Sequence, residues 1–241
     1  IYNLSAQSSV GLSFKDPYTS IKSIYHSTLI LLEAIRTIEF EGNIFFAGSS
    51  EIFGETNIGA DVNSPRKPKS PYAHAKDASM NLVKQYRELY DLNCITGVLF
   101  NHESKIRTEK FVIPKIIKGA IDCQKDNNKR LTLGNINISR DWGWAEDYVE
   151  AMQIITRAKE KKDYVICTGK LISLREIIEK VFKKLNMNWQ DYVILEKELK
   201  RPYDITKSYG NPKSLKDDLG WENKKTIDDI INLLLDNENF K

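Results

Sequence analysis

Asn43-Ile44-Phe45-Phe46-Ala47-Gly48-Ser49-Ser50-Glu51-Ile52-Phe53-Gly54 reads NIFFAGSSEIFG. The run NIFFA is short, continuously apolar and closed by a glycine and two serines, the pattern of a strand buried on both faces. A strand of that kind belongs in a parallel sheet covered by helices. Its polar end, Ser49-Ser50-Glu51, then lies where open α/β sheets bind ligands, beyond the carboxyl ends of their strands.

The flanking sequence fits such a sheet. Ile1–Ala6 reads as a buried strand, and Tyr18–Ile38 carries a helical stripe at Ile21, Ile24, Tyr25, Leu29, Leu32 and Ile35. After a Pro-containing polar loop, Ser70 is an N-cap with Pro71 at the first helical position, opening a helix that runs to about Tyr90. Cys94–Phe100 is a strand, Phe111–Lys125 a helix, Arg130–Leu133 a short strand, Ala145–Lys159 a helix and Tyr164–Thr168 a strand. Ser173 and Glu176 form a capping box, and Asn211-Pro212 and Thr226 open two short helices. This alternation predicts an α/β fold, a Rossmann-type parallel sheet with a smaller, mostly helical C-terminal part. The division is placed at 1–104 and 105–241, with segments at about 140–170 returning to the first part.

Bulk properties exclude several classes. The 241 residues are 41% hydrophobic, enough for a sizeable core. A net charge of +3, from 36 basic and 33 acidic side chains, gives no nucleic-acid surface. Cys94, Cys123 and Cys167 have no metal-like spacing and each lies in or beside an apolar run, so buried free thiols, a reducing cytoplasm and no metal are expected. No apolar run approaches a membrane span, and no signal peptide is visible. The chain opens on IYNLSA without a Met, which reads as the interior of a longer protein.

The helix after Ser70 carries the second half of a possible site. Tyr72 and Lys76 in SPYAHAK are four apart and share a helix face. An ammonium beside a phenol favours the phenolate and lowers its pKa toward the range of an acid–base catalyst. The spacing alone is weak, since Tyr-x-x-x-Lys occurs four times: Tyr18/Lys22, Tyr72/Lys76, Tyr203/Lys207 and Tyr209/Lys213. Only Tyr72/Lys76 joins a helix start to an upstream strand end with hydroxyls and a carboxylate. Glu51 adds a second base, which a simple dehydrogenase does not need.

SSE together with YAHAK resembles the extended short-chain dehydrogenase/reductases. The longer strings NLSAQSSVGLSF, AGSSEIFG, SPYAHAK, GVLFNHES, RDWGWAEDYVEAM and VICTGKLISLREI resemble, in order, the GDP-mannose 4,6-dehydratases, from Ile1 to about Trp221. The resemblance implies a lyase that converts a GDP-linked manno-sugar into the 4-keto-6-deoxy sugar with NADP, NAD being an alternative. It implies Tyr72 as the acid–base group at C4, Lys76 as its support and a cofactor contact, Glu51 as the base at C5, and Ser49 in the catalytic Thr/Ser position. Leu4, Ser5, Ala6, Gln7, Ser8, His102 and Arg107 match cofactor contacts. Ser50, Asn101, Lys115, Arg140, Arg201 and Asp204 match substrate contacts, Lys115 and Arg140 near the diphosphate. Plain rivals stand beside these: an Arg140–Asp141 ion pair, a structural His102, a solvated Lys115, and Trp142 and Trp144 as packing.

The family's GxxGxxG turn, which holds a pyrophosphate at a helix N-terminus, is not in this sequence, and the residues that choose between NAD and NADP belong to that region. Two other functions stay open, the second of them because of that missing turn. One is a sugar-nucleotide epimerase or 4-ketoreductase, which needs Tyr72 and Lys76 but not Glu51. The other is a truncated, non-catalytic binding or scaffold chain. The resemblance also implies a GDP-sugar partner and a homodimer or homotetramer paired through helices such as Ser70–Tyr90.

Overall fold

The computed structural model describes residues 1–196 and 203–239. Its main sheet has four parallel strands in the order β1 (Tyr2–Asn3), β2 (Ile44–Ser49), β3 (Cys94–Leu99) and β8 (Tyr164–Ile166). Between β1 and β2 run α1 (Val10–Lys15), α2 (Pro17–Ile21), a π-helical turn at Lys22–His26 and α3 (Ser27–Thr37). The long helix α4 (Pro71–Tyr90) joins β2 to β3. β4 (Asn101–Glu103), α5 (Val112–Lys125), β5 (Leu131–Leu133), β6 (Ser139–Arg140), β7 (Trp142–Trp144) and α6 (Ala145–Arg157) lead to β8. β9 (Ile172–Ser173), α7 (Leu174–Lys184), β10 (Val193–Leu195), β11 (Lys207–Ser208), α8 (Lys213–Leu219) and α9 (Ile227–Asn239) follow.

The apolar run of β2 explains the layers. Successive strand side chains point to opposite faces. Phe45 packs with Ile95, Tyr148 and Ile155 on the α6 side, while Ile44 and Phe46 pack with Leu32, Ile35 and Val83 of α3 and α4. Phe45 is fully buried, a contribution of about 1.5–3 kcal/mol for a side chain of this size. Room for its ring comes from Gly97 on β3, where a Cβ would sit 2.4 Å from Phe45 Cε2. A second apolar core joins α5, α7 and α9, with Ile117, Ile178, Phe182 and Ile231 at its centre and Trp142 and Trp144 built into it.

The helix from Ser70 forms as its sequence predicts. Ser70 Oγ accepts from Ala73 N at 3.1 Å, and Pro71 occupies the first turn, where no N–H is needed. Near its other end, Arg87 donates to both oxygens of Asp163, at 2.8 and 3.2 Å, and to Cys94 O at 2.9 Å. Asp163 Oδ1 also accepts from Thr96 N at 2.7 Å, so a bidentate, nearly buried pair ties α4 to the sheet.

Two elements differ from expectation. The first strand is only Tyr2–Asn3, because Asn3 Oδ1 accepts from Ser5 N at 3.3 Å and Ser5 Oγ at 2.6 Å and turns the chain. It lies at the edge of the described sheet with Ile1, Tyr2 and Leu4 exposed, not buried. The expected helix at Tyr18–Ile38 is present as one continuous helical run, Pro17 to Thr37, but carries a π turn at Lys22–His26. Serine and threonine hydroxyls bond back to carbonyls there, Ser20 to Asp16 O at 2.8 Å, Ser27 to Ser23 O at 2.5 Å and Thr28 to Ile24 O at 2.7 Å. Such bonds bend helices, and the extra residue shifts the stripe's phase, leaving Ile21 exposed while Ile24, Leu32 and Ile35 stay buried. All three cysteines are free and buried.

Candidate active site

β2 ends at Ser49, and Ser50–Phe53 tightens into a 3-10 turn that Ser49 Oγ caps by accepting from Glu51 N at 3.4 Å. The first turn of α4 lies against this end, and the hydroxyls of Tyr72 and Ser49 share a hydrogen bond. Tyr72 is 8% exposed and packs with Ile24 and Ala75, while Ala6 and Val10 close over the cluster. Burial pushes the Tyr72 phenol up to about 12; the Ser49 bond works against that, and the charge of Glu51 adds to it.

Lys76 departs from expectation. Its ammonium donates to Ala47 O at 2.8 Å and lies 5.9 Å from the centre of the Tyr72 ring. The ammonium is turned to the strand carbonyl, and burial is the largest influence on the phenol. Burial lowers Lys76 itself to about 8.

Two cavities flank these groups. Asn3, Ser5, Ala47, Gly48, Lys76 and Thr96 are among the residues that line the first. Thr96 Oγ1 is buried there without a partner, and with the Lys76 ammonium it offers donors of the kind that ribose hydroxyls take. The residues present therefore fit the nicotinamide–ribose half of a dinucleotide. Glu51, Lys69, Ser70, Arg140, Tyr203 and Asp204 line the second cavity. Arg140 bonds Asp204 at 3.5 Å and the carbonyls of Ser139 at 3.0 Å and Thr206 at 3.5 Å. It does not pair with Asp141, whose carboxylate accepts from Thr168 N and Oγ1, Gly169 N and Gly210 N.

Of the residues expected in the site, Ser49, Ser50, Glu51 and Tyr72 cluster at the strand end, Ser5 and Lys76 face the first cavity, and Arg140 and Asp204 face the second. Leu4 and Ser8 are exposed, and Gln7 Nε2 donates to Ser20 Oγ at 2.8 Å. His102 Nδ1 donates to Phe100 O at 2.8 Å, its ring lies 4.7 Å from that of Tyr148, and burial lowers its pKa, so it is a neutral ring. Asn101 precedes it on β4, and Arg107 donates to His102 O. Lys115 is half-buried on α5 and lines neither cavity. Arg201 lies outside the described residues. Asn3, Thr96, Lys69 and Tyr203 were not anticipated; only Tyr203 carried a signal, as the neighbour of Asp204 in RPYD. Among the described residues no three His, Cys, Asp or Glu side chains gather as a metal site, and no helix is long and apolar enough to cross a membrane.

Beside the site, Glu103 is 2% exposed, with Oε2 3.5 Å from Arg107 Nε and no hydrogen bond. Burial raises its carboxyl from 4.5 to about 7. Between these pH values the folded chain holds a proton that the unfolded chain has lost, so stability falls as pH rises and the full cost is present above about 7. Glu103→Gln removes that cost. The variant is expected to be more stable than the parent at pH 8 by about 2–3 kcal/mol, a margin that vanishes toward pH 4.5. Urea midpoints at the two pH values check this; an equal margin at both would refute it.

The family model described as GDP-mannose 4,6 dehydratase matches residues 1–234. GDP-mannose 4,6 dehydratase 1 of Arabidopsis thaliana is 36% identical over 242 residues, covering 99% of this chain and 67% of its own length. The Homo sapiens GDP-mannose 4,6 dehydratase is 32% identical, with 96% and 68% covered. The chain thus spans about two thirds of the length of these curated relatives. Among solved structures, RMD from Pseudomonas aeruginosa complexed with NADPH superposes with a TM-score of 0.87 at 24% identity, covering 98% of this chain and 80% of that one. The Thermus thermophilus UDP-glucose 4-epimerase complex with NAD gives 0.88 at 25% identity, covering 99% and 76%.

Proposed function

The chain belongs to the GDP-mannose 4,6-dehydratase family, and from that membership we propose that it is a hydro-lyase, removing water from a GDP-linked manno-sugar to give the GDP-4-keto-6-deoxy sugar. One observation carries the reading: the turn that bears Glu51 begins directly after Ser49 at the end of β2 and packs against α4, the helix whose first turn carries Tyr72, so a carboxylate stands at the same strand end as the phenol and the hydroxyl. An epimerase or ketoreductase needs the tyrosine and no second base.

Ser5, Lys76 and Thr96 are the residues we assign to the nicotinamide ribose of NADP, with Leu4, Ala6, Gln7, Ser8, His102 and Arg107 as further cofactor contacts. Bound there, the nicotinamide supplies an acceptor and then a donor for one hydride. Tyr72 takes the proton of the C4 hydroxyl, and the Ser49 hydroxyl steers that proton and holds the C4 oxygen. Lys76, by turning from Ala47 O toward the phenol, stabilises the phenolate form of Tyr72 that takes this proton. Once C4 is a ketone the C5 proton is acidic, and Glu51 removes it. The same proton allows the C6 hydroxyl to leave as water. The C4 hydroxyl proton equals the one that C5 regains, so the net loss is one water. Arg140, Asp204, Asn101, Ser50, Lys115 and Arg201 are assigned to the substrate, with positive charge at the diphosphate.

Several finer assignments belong to the same proposal. The dinucleotide part is 1–104 and the substrate part 105–241. The working form is a homodimer or homotetramer paired through α4, a surface supported by exposed Leu89 and Tyr90 on that helix and Ile30 on the neighbouring α3. The buried free thiols support a reducing, cytoplasmic setting. Incubation with GDP-mannose and NADP, followed by the alkali-induced absorbance of a 4-keto sugar, tests the function. Product is expected; its absence from cofactor-loaded protein sinks the dehydratase reading.

A further inference from the structure

Glu55 follows the 3-10 turn that carries Glu51, and its carboxylate accepts from two consecutive backbone N–H groups. Oε1 takes the N–H of Thr206, and Oε2 that of Lys207 at 2.9 Å. Thr56 continues the pairing: its N–H donates to Lys207 O at 3.0 Å, and its Oγ1 accepts from Tyr209 N at 2.9 Å. Ala60 N donates to Tyr209 O at 3.0 Å, and Asn211 N to Ala60 O at 2.9 Å. The loop after Glu51 is thereby zipped to a strand 151 residues away.

That strand, β11, pairs on its other side with β6, Ser208 lying opposite Arg140. Ser139 N donates to Thr206 O at 2.7 Å. At Gly210 a Cβ would sit 2.6 Å from Cys167 Sγ and 2.8 Å from Phe100 Cε2, so the far end of the segment is fixed by close approach. Immediately before Thr206 come Tyr203, Asp204 and Ile205, which wall the cavity shared by Glu51 and Arg140. The near end of the strand is thus held on one side by β6 and on the other by Thr56 and the Glu55 carboxylate, which takes both free N–H groups there and comes from the loop that follows Glu51.

We propose that Glu55 is a positioning residue for the substrate: by clamping Thr206 and Lys207 it fixes the Tyr203–Ile205 wall against Glu51 and Arg140. This rests on the function proposed above. A carboxylate suits the task because both donors need an acceptor. Glutamine supplies one acceptor and sets an NH2 group against the other N–H. Aspartate keeps both acceptors but falls one methylene short.

Glu55→Gln is expected to raise KM for GDP-mannose about tenfold with kcat within about twofold of the parent, the size expected for weakening charge-assisted hydrogen bonds. KM for NADP stays unchanged, since the first cavity does not include this loop. Glu55→Asp recovers part of the loss. Hydrogen exchange at Thr206 and Lys207 speeds up, while the amides of β3 keep their protection. An unchanged KM for GDP-mannose overturns the proposal, as does a loss shared equally by NADP, which would mark general unfolding. Calorimetry with GDP alone needs no turnover. If the parent binds GDP but makes no product, the dehydratase reading fails while a tenfold weaker GDP affinity in Glu55→Gln still upholds the clamp, and equal affinity overturns it.

Discussion

Glu51→Gln is expected to reduce dehydration of GDP-mannose by about a thousandfold, within the range of about 10²–10⁴ that a positioned general base contributes. The amide keeps the shape of the carboxylate and its place in the turn capped by Ser49. It cannot accept the C5 proton. Binding of the GDP-sugar, followed by calorimetry, should stay within a few-fold, because Arg140, Asp204 and Tyr203 are untouched. Oxidation at C4 precedes the step that needs Glu51. A single turnover should therefore still show reduced-nicotinamide absorbance, now persisting rather than decaying. Deuterium from solvent should no longer enter C5. Turnover at the parental rate would remove Glu51 as the base, and with it the reason for preferring dehydratase to epimerase.

The parts of the site written in local sequence were legible. NIFFA became a strand because four neighbouring apolar positions, Ile44 to Ala47, suit a two-faced core, and the serines after it had to mark its end. Ser70 and Pro71 announced the start of α4 and so put Tyr72 in its first turn. What could not be read depends on groups far apart in the chain. Lys76 turns to Ala47 O, which stands across from it only once α4 has packed on β2. Asp141 is held by Thr168, Gly169 and Gly210 from two later segments, and so leaves Arg140 to Asp204. The clamp of Glu55 joins positions with no common motif. The π turn near Tyr25 arises from hydroxyls competing for helix carbonyls, which a hydrophobic stripe does not record.

Tyr72→Phe should cost turnover about as much as Glu51→Gln, about a thousandfold, but it should stop the reaction one step earlier. Phenylalanine keeps the ring between Ile24 and Ala75, so the packing of α4 on the strand end survives and thermal unfolding should move by only a few degrees. The buried phenol, pushed up to about 12, has to give up its own proton before it can take that of the C4 hydroxyl, and Lys76 turned toward it favours the phenolate that does so. Without the phenol no group beside Ser49 takes that proton, and no reduced nicotinamide should form in a single turnover. Ser49→Ala removes one hydrogen bond rather than the acceptor, and a loss of only about tenfold is expected. Raising the pH should not rescue Tyr72→Phe, because Lys76, lowered to about 8, then loses the charge that the step needs. Reduced nicotinamide appearing at the parental rate in Tyr72→Phe would move the C4 role away from this tyrosine, whereas its absence there and persistence in Glu51→Gln would separate the two protons the reaction has to move.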